Sequence, residues 1–457
     1  METQYTQILT TRPRSRALRA FERGDQTLIF DVATSQMLVV DLPLSDLSSA
    51  DHQDKLFPNH HKLLKDDNGL TEAWPSHEVR PQRESRDILI VKLTSACPLR
   101  CGYCYDYEET STKSLSVDQV VSAAVQLLRH TNRGLTLLFH GGEPLLEIRK
   151  IDEICERVTR SASASGASIR YLLQTSGIIL NQKIVDVLTQ HDIRIGLSMD
   201  GPPEINDKIR VLTRGRPSTS TIWDQWRPHA YALAPRTAIL TTVTAFNVDA
   251  LPDIVAYFRA LGFRSIDFSL FHQQGRGDGA SEYDFTANAF CKAMIEITER
   301  ASRGQYGNFR VSYLITLIGK LIFPEAKQHC RPNAGPCGAA NGVTNLQSNG
   351  VITGCDLLRG QQYELGHIDD TPIAAALTSP NAQLTRKRFD TLDRCHSCTW
   401  KGPCGGTCGG SAPSPNELGE RECEIMAKMF EYLAWKLHDD PGLLNYFEKA
   451  TSRGVDV

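Results

Sequence analysis

Three thiols fall within eight residues, at the spacing C-x3-C-x2-C, in the segment Cys97-Pro98-Leu99-Arg100-Cys101-Gly102-Tyr103-Cys104. The segment follows an apolar run at 88–94 whose length and branched residues predict a strand. Three thiolates on one loop can bind three irons of a cubane cluster, which usually takes four cysteine ligands. One iron then keeps the open coordination position that a metal centre needs to bind a small molecule and do chemistry. A zinc knuckle or a group of buried free thiols would also explain these three cysteines alone.

The chain has 457 residues, of which 41% are hydrophobic and 23% charged, as expected for a globular protein of two or three domains. Its formal net charge of -3 argues against general nucleic-acid binding. No apolar run is long enough to cross a bilayer, and no apolar segment of a secretory signal is present, so we expect a cytoplasmic protein without a membrane partner. In that reducing compartment, thirteen cysteines are better candidates for metal ligands than for disulfides.

Apolar strands and helical segments alternate from residue 88 to about 273, which predicts a parallel sheet covered by helices. The predicted strands are 88–93, 135–139, 169–173, 193–198, 238–243 and 266–271, and the predicted helices are 117–130, 151–161, 182–190 and 251–261. Ser116 and Gln119 have the spacing of a capping box at the first helix. Six strands are too few for an eight-stranded barrel. We therefore expect an α/β fold, a partial (β/α)6 TIM-like barrel whose reacting groups lie at the C-terminal strand ends.

Short polar motifs follow three of these strands at the ends where such a barrel carries its chemistry. They are His140-Gly141-Gly142-Glu143-Pro144, Gln174-Thr175-Ser176-Gly177 and Ser198-Met199-Asp200-Gly201-Pro202, with Arg210 shortly after. Two glycines let a backbone approach a ligand closely, and the Glu143 carboxylate can accept hydrogen bonds from an ammonium group. Thr175 and Ser176 offer hydroxyls to a ribose, and Arg210 can pair with a carboxylate. Each motif alone is more often turn chemistry, but their position on one rim with the cysteine loop predicts one site.

Eight further cysteines lie in the C-terminal third of the chain: Cys330, Cys337, Cys355, Cys395, Cys398, Cys404, Cys408 and Cys423. The region is rich in glycine and proline, so we expect few regular elements there and a fold held by metal. Eight cysteines without a histidine at ligand spacing fit two four-cysteine clusters, and a pair of zinc ribbons is the alternative. The two remaining cysteines, Cys155 and Cys291, fall within helical patterns and are predicted to be core thiols.

Residues 1–85 stand apart as a small module that contains β-structure. Two apolar segments, 28–32 and 37–40, flank a turn at 33–35 and predict a β-hairpin. A polar stretch follows as far as Pro81, with Asp67-Asn68-Gly69 as a turn signal. The module could dock a peptide on an exposed strand edge, or it could plug the barrel.

The cysteine loop, together with Gly141-Gly142-Glu143-Pro144 and Ser198-Met199-Asp200-Gly201-Pro202, resembles the radical S-adenosylmethionine (SAM) superfamily. The later cysteines resemble the SPASM extension of that superfamily, so the resemblance covers roughly residues 88–430. It implies that Cys97, Cys101 and Cys104 bind a 4Fe-4S cluster whose open iron takes the amino and carboxylate groups of SAM. It also implies a binding site for SAM formed by Gly141, Gly142, Glu143, Thr175, Ser176, Ser198, Asp200 and Arg210. Related sequences commonly have Asn at the position of Ser176, so this chain departs from the family pattern there.

The resemblance to SPASM enzymes with two auxiliary clusters implies three 4Fe-4S clusters in all. The first auxiliary cluster would be bound by Cys330, Cys337, Cys355 and Cys408, and the second by Cys395, Cys398, Cys404 and Cys423. They could accept the electron that is released when a substrate radical is oxidised. Asp356 follows Cys355 directly, where formylglycine-forming relatives carry an aspartate thought to remove a substrate proton. We therefore expect Asp356 to be a general base, with a solvated loop carboxylate as the alternative.

The resemblance implies a radical SAM oxidoreductase that generates a 5'-deoxyadenosyl radical and modifies a peptide or protein. We expect a thioether or carbon-carbon cross-link in a ribosomally made precursor peptide, and an electron donor such as flavodoxin or ferredoxin. The alternatives are sulfatase-maturase-like oxidation of Ser or Cys to formylglycine and, from another class, a non-catalytic iron-sulfur electron carrier. The expected domains are 1–85, resembling leader-binding segments of peptide maturases; 86–325, the barrel; 326–430, the SPASM domain; and 431–457, a helical tail.

Overall fold

The computed structural model describes residues 6–8, 18–31, 37–41, 43, 86–106, 112–131, 134–322, 337–387, 395, 398–408 and 419–452. Its strands are β1 (Thr6–Ile8), β2 (Leu18–Arg23), β3 (Gln26–Asp31), β4 (Met37–Val40), β5 (Asp87–Thr94), β6 (Leu135–Gly141), β7 (Ile169–Thr175), β8 (Arg194–Ser198), β9 (Thr237–Val243), β10 (Ser265–Leu270), β11 (Arg310–Val311), β12 (Val343–Leu346), β13 (Val351–Thr353) and β14 (Glu364–His367). Its helices are α1 (Val117–His130), α2 (Ile148–Ser165), α3 (Gln182–Gln190), α4 (Pro203–Ile209), α5 (Thr219–Trp226), α6 (Ala230–Leu233), α7 (Leu251–Ala260), α8 (Ala287–Ser302), α9 (Ser312–Ile322), α10 (Ile373–Thr378), α11 (Pro380–Lys387), α12 (Lys401–Cys404), α13 (Glu420–Asp439) and α14 (Pro441–Thr451).

Strands β5 to β10 lie side by side in the order of the sequence and all pair in parallel. Each connection between them contains helices, as a strand–helix–strand repeat requires. The expected α/β class with a partial (β/α)6 barrel is therefore confirmed. Every predicted strand of the barrel agrees with the structure to within two residues at each end, and the capping box of Ser116 and Gln119 is formed.

Helix α2 is longer than its predicted range of 151–161 at both ends. Its first turn contains Arg149 and Lys150, and its last turn is rich in serine and alanine, so neither end carries an apolar pattern. The helix follows directly on a short 3-10 turn, Pro144–Glu147, that ends the Gly-Gly-Glu-Pro motif. Periodicity detects only the part of a helix that faces the core.

The inner face of the barrel changes from apolar to polar toward the C-terminal strand ends. Ile90 pairs with Leu138 and Lys92 pairs with His140, so these residues share one face of the sheet. Ile88, Ile90, Leu138 and Val343 form a small apolar cluster, separate from the main core. Above this apolar floor, Lys92 and His140 bring polar groups to the end of the barrel where the cysteine loop begins.

The C-terminal part contains more regular structure than its glycine and proline content predicted. Strand β12 adds to the barrel sheet in parallel with β5, and β13 and β14 follow in antiparallel pairing. These strands have only three or four residues, and β12 contains the buried polar residues Thr344 and Asn345. Pairing of β12 with β5, and of β13 and β14 with the strands before them, supplies the stability that their own sequences do not indicate. This explains why the expectation of few elements was wrong. Helix α13 runs across position 430, where the tail was expected to begin.

The N-terminal strands β1 to β4 form a separate four-stranded antiparallel sheet. The predicted hairpin is present, because β3 pairs with β4 from Thr27–Val40 to Phe30–Met37. The turn at 33–35 and the polar stretch to Pro81 lie outside the described residues.

This sheet packs against the C-terminal part of the chain. The ring of Phe21 stacks on Trp400 with centroids 5.3 Å apart, and Phe30 lies 4.8 Å from the same indole. Arg23 donates to Asp439 at 2.6 and 2.8 Å, but both side chains are about two-fifths exposed, and such pairs contribute roughly 0.2–1 kcal/mol. Burial of an aromatic ring contributes about 1.5–3 kcal/mol, so the rings hold the sheet in place.

Both cysteines predicted to be core thiols, Cys155 and Cys291, are buried. Burial raises the pKa of Cys291 to about 11 and raises that of Cys155 further. In the part of the chain that the structure describes, no helix combines the length and apolar character of a membrane span.

We predict that Phe30→Ala destabilises the protein by about 3–5 kcal/mol, because it removes a fully buried ring from the contact with Trp400. The unfolding temperature should fall by several degrees, and trypsin should cleave at Arg19 and Arg23 faster. Tyr231→Ala is the matched control, because its side chain is 98% exposed. Equal proteolysis of the two variants would contradict the docking of the sheet on Trp400.

Candidate active site

The cysteine loop follows β5 and is fixed to the segment after β8. Arg100 N donates to Val211 O at 2.7 Å. Tyr103, between the second and third cysteines, is buried, and its hydroxyl donates to Asp200 Oδ2 at 2.6 Å. The loop therefore has a fixed conformation at the C-terminal end of the barrel, where the fold class predicts reacting groups.

The three thiols of this loop are half-buried beside cationic groups. Burial raises the pKa of Cys97 to about 12 and that of Cys101 to about 11, and it also raises the pKa of Cys104. Arg210 and Arg276 act in the opposite direction on Cys101, and Arg276 Nη1 donates to Cys101 O at 2.6 Å. Three sulfurs next to guanidinium groups are a donor set that fits an anionic iron-sulfur cluster.

The two glycines after β6 bring their backbone against the start of the cysteine loop. Gly142 N donates to Thr94 O at 2.7 Å, and Glu143 N donates to Ala96 O at 2.8 Å. Gly141 has φ of 106°, and a Cβ on Gly142 would lie 2.1 Å from Ala96 O. The close approach that the sequence predicted toward a ligand is thus made, in this structure, toward the chain itself.

The Glu143 carboxylate is completely buried and accepts four hydrogen bonds. Oε1 accepts from Thr175 Oγ1 at 2.7 Å and Leu145 N at 3.2 Å, and Oε2 accepts from Ser176 N at 2.9 Å and from Ser176 Oγ. Burial raises the pKa of Glu143, and the bonds from Ser176 and Thr175 oppose that effect. The structure therefore brings together three residues predicted to contact SAM, and it bonds them to one another. Their contact with SAM stays a prediction.

A second buried carboxylate, Asp200, links three strand ends. Oδ2 accepts from Arg210 Nε at 3.0 Å as well as from Tyr103, and Oδ1 accepts from Thr242 N at 2.9 Å. Asp200 and Arg210, both predicted to contact SAM, are thus an internal ion pair behind the cysteine loop. Ser198 is half-buried at the end of β8, two residues before Asp200. Its predicted role also stays a prediction.

Asp356 lies on the opposite side of the cysteine loop, in a polar cluster with Lys92, Tyr105 and His140. Tyr105 Oη donates to Asp356 Oδ2 at 2.7 Å and lies 3.4 Å from His140 Nε2. Cys355 Sγ donates to Asp356 Oδ1 at 3.4 Å. Burial would raise the pKa of Asp356, but Lys92, His140 and Tyr105 together hold it below its ordinary value. The carboxylate is therefore ionised near neutral pH, as a proton acceptor must be.

Cys337 and Cys355 lie together in the C-terminal part, packed against Ala339, Leu358 and Tyr363. Burial raises the pKa of Cys355 well above its ordinary value, and the charges of Cys408 and Cys337 add to the effect. Three of the four cysteines predicted for the first auxiliary cluster are thus neighbours. The fourth, Cys330, lies outside the described residues.

A second group contains Cys395, Cys398 and Cys404. Burial raises the pKa of Cys404, and Cys398 and Cys395 are close enough to raise it further. Cys423, the fourth predicted member, lies in the first turn of α13. None of the described cysteines is in a disulfide. Within the described ranges, no three His, Cys, Asp or Glu side chains lie close enough together to hold a single metal ion.

The family comparisons match two separate regions of the chain, one that contains the cysteine loop and one that contains several of the later cysteines. Residues 91–225 match the family described as the radical SAM superfamily, and residues 337–399 match SPASM, described as an iron-sulfur cluster-binding domain. The chain carries a radical SAM domain and a SPASM domain. The radical SAM match begins within β5 and includes the cysteine loop, Glu143 and Asp200, and the SPASM match includes Cys355 and Asp356.

Similar proteins include an uncharacterized protein of Methanocaldococcus jannaschii, 34% identical over 183 residues. That match covers 40% of this chain and 62% of the relative, so less than two thirds of the relative is spanned. The cysteine-type anaerobic sulfatase-maturating enzyme of Clostridium perfringens is 23% identical over 362 residues, which cover 76% of this chain and 95% of the enzyme.

Two solved structures have the same fold. Native anSMEcpe with bound AdoMet and Cp18Cys peptide superposes with a TM-score of 0.65 at 22% identity, covering 79% of this chain and 98% of that chain. SuiB of Streptococcus suis, bound to its precursor peptide SuiA, superposes with a TM-score of 0.56 at 14% identity, covering 89% of this chain and 99% of that chain. At these identities the likeness establishes the fold alone.

Sequence reasoning missed two members of the polar cluster around Asp356, namely Lys92 and Tyr105. Lys92 interrupts an otherwise apolar run in the strand that leads into the radical SAM cysteine loop. A lysine in a strand buried on both faces is rare and must find a partner, so its position was the available signal. Tyr105 directly follows Cys104, but nothing in the sequence alone indicates that its hydroxyl reaches the SPASM domain.

We predict that Glu143→Gln destabilises the radical SAM domain, because one amide nitrogen would replace an oxygen that accepts hydrogen bonds. At least one buried donor would lose its acceptor, at a cost of about 1–3 kcal/mol for each such group. The control is Glu147→Gln, on the same turn but partly exposed. The measurement is the unfolding temperature of the purified protein, and equal values for the two variants would contradict the structural role of Glu143.

Proposed function

We propose that this chain is a radical SAM/SPASM peptide maturase that modifies a side chain of a ribosomally made peptide or protein. The product that we favour is a thioether or carbon-carbon cross-link. The observation that carries the proposal is the position of Asp356. Its half-buried, ionised carboxylate directly follows a SPASM cysteine and accepts a hydrogen bond from Tyr105, which comes directly after the radical SAM cysteine loop. Support comes from two structural neighbours that were solved with peptides bound.

The cysteines of this chain fit the cofactors that this function requires. Cys97, Cys101 and Cys104 would hold the cluster that binds SAM, and the two later groups of cysteines would hold two auxiliary clusters. When bound, these groups supply a 5'-deoxyadenosyl radical that removes a hydrogen atom, and an acceptor for the electron that leaves the substrate. Flavodoxin or ferredoxin is the electron donor that we propose, in a cytoplasm that keeps the other thiols reduced.

Cross-linking also requires that a proton be removed from the substrate, and we assign this step to residues of the chain itself. A cross-link joins two side chains, each of which gives up one hydrogen. One leaves as a hydrogen atom, and the other leaves as a proton when one electron also departs. Asp356 takes that proton on the carboxylate, and Tyr105 fixes the carboxylate by donating to Oδ2. The apolar inner floor formed by Ile88, Ile90 and Leu138 keeps water out below the reacting atoms.

Oxidation of Ser or Cys to formylglycine is the second candidate, favoured by the relatives named as sulfatase-maturating enzymes. Cross-linking and serine oxidation remove the same pair of hydrogens, so intact mass does not separate them. Formylglycine is an aldehyde and reacts with a hydrazide probe, whereas a cross-link suppresses fragmentation between the two joined residues. Co-expression with short peptides encoded beside its gene, followed by both assays, identifies the product. A non-catalytic electron carrier would yield no 5'-deoxyadenosine with SAM and dithionite.

The N-terminal sheet is the part of the chain that we propose to bind the leader of the precursor. Strands β1 and β4 are the edges of this sheet in the described part of the chain. An edge strand can accept an extended peptide as a further strand. The sheet packs on Trp400 in the SPASM half, which supports a docking role more than the plugging of the barrel.

We predict about twelve irons per chain for the anaerobically purified protein, because three cubanes carry four irons each. Replacing Cys97, Cys101 and Cys104 with Ala should leave about eight irons and abolish SAM cleavage. Cys291→Ala, which removes a core thiol, is the control and should keep full iron. Zinc with only about four irons in the wild type would rule out the auxiliary clusters.

We predict that Asp356→Asn keeps iron content and reductive cleavage of SAM but lowers product formation by roughly 10²- to 10⁴-fold, because the proton acceptor is gone. The peptide is the one that the wild-type chain modifies on co-expression, and product is measured by mass spectrometry. Asp370→Asn, at an exposed position of the same domain, is the control. Wild-type yield in Asp356→Asn with full iron would remove this residue from the reaction.

A further inference from the structure

Lys92 is a buried lysine, with a side chain that is 2% exposed. It stands near the end of β5, where the other residues are apolar or small. Taking an ammonium group out of water is costly, and such groups persist only when they are paired and hydrogen-bonded. The partners of Lys92 therefore indicate the role of this side chain.

Those partners come from two other segments of the chain. Lys92 Nζ forms an ion pair with Asp106 Oδ1, just after the cysteine loop, and donates to Asp356 O at 3.3 Å in the SPASM domain. Arg359, also in the SPASM domain, donates to the same Asp106 oxygen at 3.3 Å and to Tyr105 O. One buried ammonium thus joins a barrel strand, the radical SAM loop and the loop that follows the SPASM cysteine Cys355.

Lys92 contacts the chain on both sides of one hydrogen bond, the bond between Tyr105 and Asp356. Tyr105 Oη donates to Asp356 Oδ2 at 2.7 Å, and Lys92 contacts the neighbour of the donor, Asp106, and the backbone of the acceptor, Asp356. Its Nζ also lies 5.4 Å from the centre of the Tyr105 ring. Because the lysine contacts both sides of this bond, it fixes the distance between the tyrosine and the carboxylate.

We propose that Lys92 is a positioning residue for the modification reaction: it holds Asp356 and Tyr105 in the arrangement in which the carboxylate faces the substrate. The proposal rests on the proposed function of Asp356 as the proton acceptor. Lys92 has no part in binding SAM or in cleaving it. Without Lys92, the chain still generates the radical, but the carboxylate no longer stands where the proton leaves, so cleavage of SAM becomes uncoupled from product.

The test uses variants that distinguish a role of Lys92 in positioning Asp356 from a role in stabilising the fold. Lys92→Met alone removes the ammonium group that pairs with the largely buried carboxylate of Asp106. The double variant Lys92→Met/Asp106→Asn is therefore made beside it, because it removes both charges of the pair. Lys92→Arg retains the charge and the donors. Lys150→Met, a partly exposed lysine paired with Glu147, is the matched control.

The first two readouts, SAM cleavage measured together with iron content and the EPR spectrum, need no peptide. Iron per chain and 5'-deoxyadenosine formed with SAM and dithionite should stay within two-fold of wild type in every variant. The EPR spectrum of the reduced auxiliary clusters should change in Lys92→Met and in the double variant, because the residue next to the ligand Cys355 loses its contact. Lys92→Arg should restore the wild-type spectrum in part. An unchanged spectrum in the double variant with full iron would overturn the proposal.

The third readout is product formed per 5'-deoxyadenosine, with the peptide that the wild-type chain modifies. It should fall at least ten-fold in Lys92→Met and in the double variant, recover in part in Lys92→Arg and stay unchanged in Lys150→Met. A parallel loss of iron, SAM cleavage and product would assign Lys92 a merely structural role and refute the proposal. If Asp356→Asn retains product, the proposed role of Asp356 as the proton acceptor fails instead. If Asp356→Asn loses product while the double variant retains it, only the role of Lys92 fails.

Discussion

Strand β5 pairs with β6 on one side and with β12 on the other, and the rest of the molecule depends on this double pairing. Ile88 is in register with Thr136 in one neighbour and with Val343 in the other. The hydrogen bonds of one strand therefore set the distance between the radical SAM barrel and the SPASM domain. The cysteine loop begins where β5 ends, and the loop of Cys355 and Asp356 begins where β13 ends. Both loops leave one continuous sheet, so neither can move far without breaking strand pairs.

Two buried carboxylates then fix the motifs at the strand ends. An ionised carboxylate taken out of water loses several kcal/mol of hydration, and each hydrogen bond to a charged group returns about 1.5–3 kcal/mol. Glu143 receives four such bonds and Asp200 receives three, and these bonds offset part of the cost of burial. The donors include Thr175, Ser176 and Arg210, which consequently have defined positions before any ligand arrives. A preformed site loses little conformational freedom when its cofactor binds.

The sequence allowed prediction of the barrel and of the radical SAM and SPASM domains, because apolar periodicity and short cysteine motifs are local signals. It did not predict β12 to β14, because these short strands extend the barrel sheet from β5, and β5 is more than 200 positions away from them. The same limit applies to the site. Glu143, Asp200 and Arg210 were identified as polar groups at strand ends, but their bonds to one another depend on the register of β6, β7 and β8. Lys92 and Tyr105 were missed because their partners lie in the SPASM domain, far along the chain.

The N-terminal sheet makes its described contacts with residues near the far end of the sequence. Arg23 and Asp439 are separated by 416 positions. The contact of Phe30 with Trp400 likewise joins residues that are far apart in the chain. At a synthesis rate of 5–20 residues per second, the ribosome needs on the order of 20–80 s to deliver that helix after the sheet has emerged. During this interval the sheet presents an uncovered apolar face to solvent, and the barrel between the sheet and α13 can fold. Closure of the N-terminal sheet onto α13 therefore takes place only on a chain whose synthesis has passed α13.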